Sequence, residues 1–74
     1  MIVLIEIQYI AVDSRVMQRG EFPLRRRKPE EVAFEWLKQI KREMPFYEEL
    51  VKVKVNGEDI TDLVKKLDEA PLDD

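Results

Sequence analysis

Between Met1 and Val12 apolar residues recur at every second position, and that alternation predicts the first element of the chain. The odd positions read Val3, Ile5, Ile7, Tyr9 and Ala11, all apolar or aromatic. The even positions read Ile2, Leu4, Glu6, Gln8, Ile10 and Val12, polar only in the middle. A period of two in a β-branched run is a strand signal. The odd face is expected to meet the core. The even face is charged at its centre and greasy at both ends.

Asp13-Ser14 predicts a turn, because both side chains can bond nearby backbone groups. A second strand is expected from Arg15 to Leu24, with Val16, Phe22 and Leu24 inward. Gly20 suggests a bulge, and Pro23 cannot donate a ladder hydrogen bond, so this strand belongs at an edge. Pro29, with Glu30 and Glu31 behind it, is a good helix start. At 100° per residue Ala33, Trp36, Leu37, Ile40 and Met44 form one stripe, with Val32 and Phe34 at its margins and Glu35, Lys38, Gln39 and Arg42 opposite. The helix should stop before Pro45.

Phe46, Tyr47 and Leu50 are expected in the connection back to the sheet. Val51, Val53 and Val55 then alternate with Lys52 and Lys54 as a half-buried strand, and Asn56-Gly57 is a strong turn signal. Asp59 or Thr61 is expected to cap a short terminal helix with the stripe Ile60, Leu63, Val64 and Leu67. Ala70-Pro71 should end it, leaving 71–74 as a frayed acidic tail. The expected fold is a single α+β domain over 1–74, in the order β-β-α-β, whose mixed sheet packs on one amphipathic helix, with a short C-terminal helix. A crossover is expected to lay the third strand parallel to the first, with Glu6 near Lys52 and Lys54.

In element order over residues 1–57 the chain resembles the β-grasp, or ubiquitin-like, proteins. Val53-Lys54-Val55-Asn56-Gly57 is similar to the strand-turn segment of small sulfur-carrier proteins. Those carriers, like ubiquitin, end in Gly-Gly for C-terminal activation, whereas this chain ends Pro71-Leu72-Asp73-Asp74 and shows no clear strand after the turn. The resemblance implies a scaffold and lends nothing to carrier or modifier chemistry.

Composition narrows the chemistry. The 74 residues include no histidine and no cysteine, which removes the usual general base, thiolate ligands and disulfides. Ser14, Thr61, Tyr9, Tyr47 and the lysines thus lack the common activators of a nucleophile. Adjacent carboxylates such as Glu30-Glu31, Glu48-Glu49 and Asp73-Asp74 are expected to face water, and with only Gly20 and Gly57 there is no phosphate-binding loop. An enzyme is not expected, and neither a cofactor nor a small-molecule substrate is implied. Asn56, Glu58, Asp59 and Asp62 gather around a turn as oxygen donors, but the spacing of a calcium loop is absent and helix capping by Asp59 accounts for them better. No metal site is expected. Charged residues make up 39% of the chain, while Ser, Thr and Asn occur once each, a bias typical of proteins from hot environments. The opening apolar run has no basic leader and is interrupted by Glu6, so neither signal peptide nor membrane span is expected, and the default location is cytoplasmic.

Two surfaces remain. The net charge is −3, yet Arg15, Arg19, Arg25, Arg26, Arg27 and Lys28 concentrate positive charge between residues 13 and 29. These cations are candidates for nucleic-acid contact through phosphates, although no exposed aromatic for base stacking is evident. Pairing of the basic loop with Glu30, Glu31 or the acidic tail is the simpler expectation. The other candidate is a protein-binding surface at the apolar ends of the even face: Ile2, Leu4, Ile10 and Val12. One helix can cover only one face of a sheet, so these residues favour a homodimer or a protein partner unless the terminal helix covers them. The function expected from sequence is a small non-enzymatic protein-interaction or structural module, with nucleic-acid binding through the basic loop as the alternative.

Overall fold

The N-terminal alternation forms strand β1 (Ile2–Ala11), and all five of its odd residues are buried. A computed structural model describes residues 1–69; the helix stop expected at Ala70-Pro71 and the tail 71–74 lie outside the described residues. Strand β2 (Ser14–Pro23) pairs antiparallel with β1 from Ala11↔Ser14 to Ile2↔Pro23 without a slip. The turn is therefore Val12-Asp13, one residue earlier than Asp13-Ser14. Its two residues take φ of 53° and 60°, the left-handed pair that a two-residue hairpin needs. A β-branched residue resists that conformation, so Val12 carries backbone strain. The Val12 N–H donates to the Phe46 carbonyl at 3.4 Å, and the Asp13 N–H donates to the Glu48 carboxylate at 3.0 Å. These tertiary bonds hold the turn where local preference would not.

Gly20 marks no bulge. A Cβ there would lie 2.8 Å from the Phe22 ring and 3.4 Å from Trp36, so the missing side chain makes room for the two rings. Helix α1 (Pro29–Glu43) starts at the predicted proline, and the Lys28 N–H donates to the Glu31 carboxylate at 3.3 Å. Its buried stripe is Val32, Ala33, Leu37 and Ile40, which is turned toward Val32 and leaves Trp36 half-buried at the margin.

Strand β3 (Tyr47–Val55) lies beside β1, but antiparallel to it, which corrects the expected parallel pairing. The reason is topological. The helical crossover from β2 brings β3 back parallel to β2, on the far side of β1, and β1 is already antiparallel to β2 through the hairpin. The sheet is therefore antiparallel throughout, in the order β2-β1-β3-β4, and not mixed. This is an α+β fold with four strands and two helices, in the order β-β-α-β-β-α, and the expected β-β-α-β layout lies within it.

Register shifts opposite Gln8/Tyr9 and Ile10/Ala11 change the phase of β3. Val53 and Val55 face the core as expected, but beyond the first shift Leu50 is the buried residue and Val51 is only half-buried. Tyr47 and Leu50 thus belong to the strand, not to the connection. The bulges bring the larger Leu50 inward and bend the strand. Asn56-Gly57, with φ of 52° and 85°, turns the chain into the two-residue strand β4 (Glu58–Asp59). The Asn56 side-chain oxygen accepts the Leu4 N–H at 2.9 Å while the Asn56 backbone N–H donates to the Leu4 carbonyl at 2.8 Å, extending the ladder past the strand end.

Helix α2 (Thr61–Glu69) begins after Ile60, whose carbonyl accepts the Val64 N–H at 3.1 Å. Asp59 accepts the Thr61 N–H at 2.9 Å, and its carboxyl is held below the usual carboxylate range, first by the Thr61 hydroxyl and then by that N–H. Ile60 and Val64 join the same buried cluster as β1, β3 and α1. The Lys41 ammonium of α1 pairs with Asp68 of α2 at 2.7 Å. Both helices therefore lie on the odd-face side of the sheet, α1 over β1 and β3 and α2 over β3, and α2 does not reach the even face.

Tyr47 lies at the seam between sheet and helices, its ring 5.6 Å from that of Tyr9 and 5.5 Å from the Lys41 ammonium. Burial, then Asp68, Glu49 and Tyr9, push its phenol up to about 12. A raised folded-state pKa means that the neutral phenol's contribution is complete below pH ~10, where the unfolded residue ionises, and is lost as pH rises toward 12. The ring is partly open to water, so the loss should stay below about 1 kcal/mol after solvent screening. Denaturant titrations at pH 9 and pH 11.5 should show a smaller fall for Tyr47→Phe than for the native chain; equal falls would exclude this account.

Candidate interaction surface

The uncovered face is built by strand parity. Residues opposite one another in an antiparallel pair point to the same side. The even row of β1 (Ile2, Leu4, Glu6, Gln8, Ile10) is flanked on β2 by Pro23, Glu21, Arg19, Met17 and Arg15. On the other side stand Lys54 opposite Glu6, Lys52 opposite Gln8 and Glu49 opposite Ile10. The expected nearness of Glu6 to Lys54 and Lys52 thus holds in register. The bond that Glu6 makes is on its other flank, with the Arg19 guanidinium at 3.4 Å, while the Gln8 amide donates to Glu6 at 3.0 Å. A polar lattice fills the middle of the face. At one end Ile2 is 67% and Leu4 42% exposed, and at the other Met17 is 48% exposed beside half-buried Ile10.

Val12 does not continue this row. It is 63% exposed, but it sits in the hairpin turn next to Phe46, itself 67% exposed, so the two make an apolar tip beyond the sheet. Met17 and Phe46 were not among the residues expected at an interface. Met17 was readable, since it has the parity of Arg15 and Arg19 in an antiparallel hairpin. Phe46 was not, because nothing in the local pattern shows that the Pro45-Phe46 corner points outward.

The structure does not gather the basic residues. Arg15 stands at the hairpin end of β2 and the 25–28 loop at the opposite end, about 30 Å away at ~3.3 Å per strand residue. Arg19 is engaged by Glu6, and Arg27 forms an ion pair with Glu35 on α1. Arg25 and Arg26 take positive φ (50° and 70°) in the loop and are exposed. Among the described residues, the open face carries no aromatic ring on which a base would stack.

On the helix side, Phe22 and Trp36 pack with centroids 4.7 Å apart and ring planes tilted by 50°, and both line a shallow groove of about 460 Å³ between β2 and α1. Charged side chains from α1, among them Glu35, Lys38 and Arg42, rim it, and its mixed polarity singles out no ligand. Among the described residues no group of three or more His, Cys, Asp or Glu is placed to hold a metal ion, and no helix is long and apolar enough to cross a membrane. In comparison with known proteins, no family model, no curated protein and no solved structure matches this chain.

Proposed function

We propose that this protein is a non-enzymatic interaction module that docks a protein partner on the open face of its sheet. The observation that carries the reading is the placement of both helices on one face, which leaves Ile2, Leu4, Ile10 and Met17 at the ends of the other. Apolar ends supply buried area, while the central Glu6, Arg19, Lys52 and Lys54 set register and exclude wrong partners. A face of mixed charge, with no aromatic ring among the described residues, suits a protein better than a nucleic acid, whose recognition would call for a basic surface or stacking rings.

The test uses three immobilised chains in a lysate of the source cells: the native protein, Leu4→Lys/Ile10→Lys, and Lys38→Glu on the solvent side of α1. The same protein band should be retained by the native chain and by Lys38→Glu, lost with Leu4→Lys/Ile10→Lys, and unaffected by nuclease. Circular dichroism of each variant keeps misfolding out of the comparison. Retention that ignores the face substitutions overturns the proposal. So does retention that nuclease abolishes, which would point instead to the 25–28 loop and nucleic acid.

A further inference from the structure

The outer side of β2 is a sheet edge, and its chemistry is readable residue by residue. The hairpin closes at Ala11↔Ser14, and the Leu24 N–H donates to the Met1 carbonyl at 3.0 Å, so the even residues of β2 bond to β1. The odd residues Arg15, Met17, Arg19 and Glu21 therefore turn their N–H and C=O groups outward, where among the described residues no strand meets them. Pro23 follows with no N–H to give. A free edge of this length is a template for another strand unless something blunts it.

We propose that this edge pairs antiparallel with β2 of a second copy, about a two-fold axis through Gln18. Two-fold pairing of a strand with itself must match residues of like parity, which leaves few registers, and side-chain charge chooses among them. Centred on Met17, the pairing sets Arg15 against Arg19 and Asp13 against Glu21. Centred on Arg19, it opposes two copies of that residue and puts Pro23 in a hydrogen-bonding place. Centred on Gly20, it matches Arg19 with Glu21 but again spends a bonding place on Pro23. Centred on Gln18, Arg15 faces Glu21 twice, Met17 faces Arg19 twice, and Pro23 falls beyond the pairing.

About eight backbone hydrogen bonds then form between the outward-turned groups. Arg15 and Glu21, which pair with no other charge among the described residues, gain partners. On the helix side Val16 and Phe22 are only half-buried, because α1 packs chiefly over β1 and β3 and α2 over β3. In this register Phe22 of each copy lies diagonal to Val16 of the other, within reach of a large side chain. The result is a continuous eight-stranded sheet whose open face is doubled. This inference concerns the edge, whereas the proposed function concerns the face, so either can fail alone.

Sedimentation equilibrium across a concentration series tests it. The native chain should show a monomer–dimer equilibrium. Arg15→Glu, and separately Glu21→Arg, should weaken the dimer more than about tenfold, since each replaces two attractive pairs with two repulsive ones. Their equimolar mixture should dimerise again, because each variant then offers the charge that the other lacks. Leu4→Lys/Ile10→Lys should leave the equilibrium unchanged. A native chain that stays monomeric at millimolar concentration overturns the proposal. A dimer indifferent to both charge changes overturns it too, and one broken by Leu4→Lys/Ile10→Lys assigns self-association to the face.

Discussion

Replacing Ile7 with alanine is expected to lower the unfolding free energy by about 3 kcal/mol, within the range for truncating a fully buried branched residue. Ile7 is 0% exposed and sits in the middle of β1, opposite Gln18 on one side and buried Val53 on the other. Sheet neighbours flank it and α1 packs over the strand in the same buried cluster, so the cavity has little freedom to collapse. A domain of this size has only about 4–11 kcal/mol in total, at ~0.05–0.15 kcal/mol per residue. The variant therefore loses a large share of its stability. Leu4→Ala is the comparison, since Leu4 lies on the same strand but on the open face, where it is 42% exposed. Its truncation should cost less than about 1 kcal/mol. Urea denaturation followed by Trp36 fluorescence reads both. Near-equal losses would mean that the open face of β1 is covered in solution, most simply by another protein chain.

That contrast was legible in the sequence because strand parity is a local property. Alternation along residues 1–12 assigned every odd side chain to the core, and a proline followed by two glutamates placed the start of α1. What the sequence hid was relational. The direction of β3 follows from the count of reversals between it and β1, one hairpin and one crossover, and no local pattern encodes that count. Leu50 is buried because a bulge shifts the phase of β3, and the run Val51-Lys52-Val53-Lys54-Val55 gives no sign of it. Val12 looked like the end of an apolar row, yet the turn takes it out of the strand. The even positions of β1 lie together on the open face as far as Ile10, as parity predicts. That α2 joins α1 and does not cross to the other face depends on Ile60 and Val64 finding the gap beside β3, a matter of three-dimensional fit.

Thr61→Val should be nearly as damaging as a core truncation, although it changes one hydroxyl to a methyl on a residue only half-buried. β4 ends at Asp59, paired with Lys54; beyond it the Ile60 N–H still donates to the Val53 carbonyl at 2.9 Å, but the Val53 N–H finds no backbone carbonyl in return. The Thr61 hydroxyl stands in for the missing strand by accepting the Val53 N–H at 3.0 Å, while it donates to the Asp59 carboxylate at 2.5 Å. Val53 is 0% exposed, so without the hydroxyl its N–H has no water to turn to. An unpaired buried donor costs about 1–3 kcal/mol, and losing the charge-assisted bond to Asp59 at the start of α2 adds to it. The expected loss is about 2–3 kcal/mol. Thr61→Ser keeps the hydroxyl and should recover most of it, which separates the hydrogen bond from the packing of the methyl group. Amide exchange at Val53 gives the sharper reading: its N–H should lose protection in Thr61→Val and retain it in Thr61→Ser, while Ile7 stays protected in both. If Val53 remains protected in the valine variant, the hydroxyl is not what closes the open end of β3, and the join between sheet and terminal helix rests on Ile60 and Val64 alone.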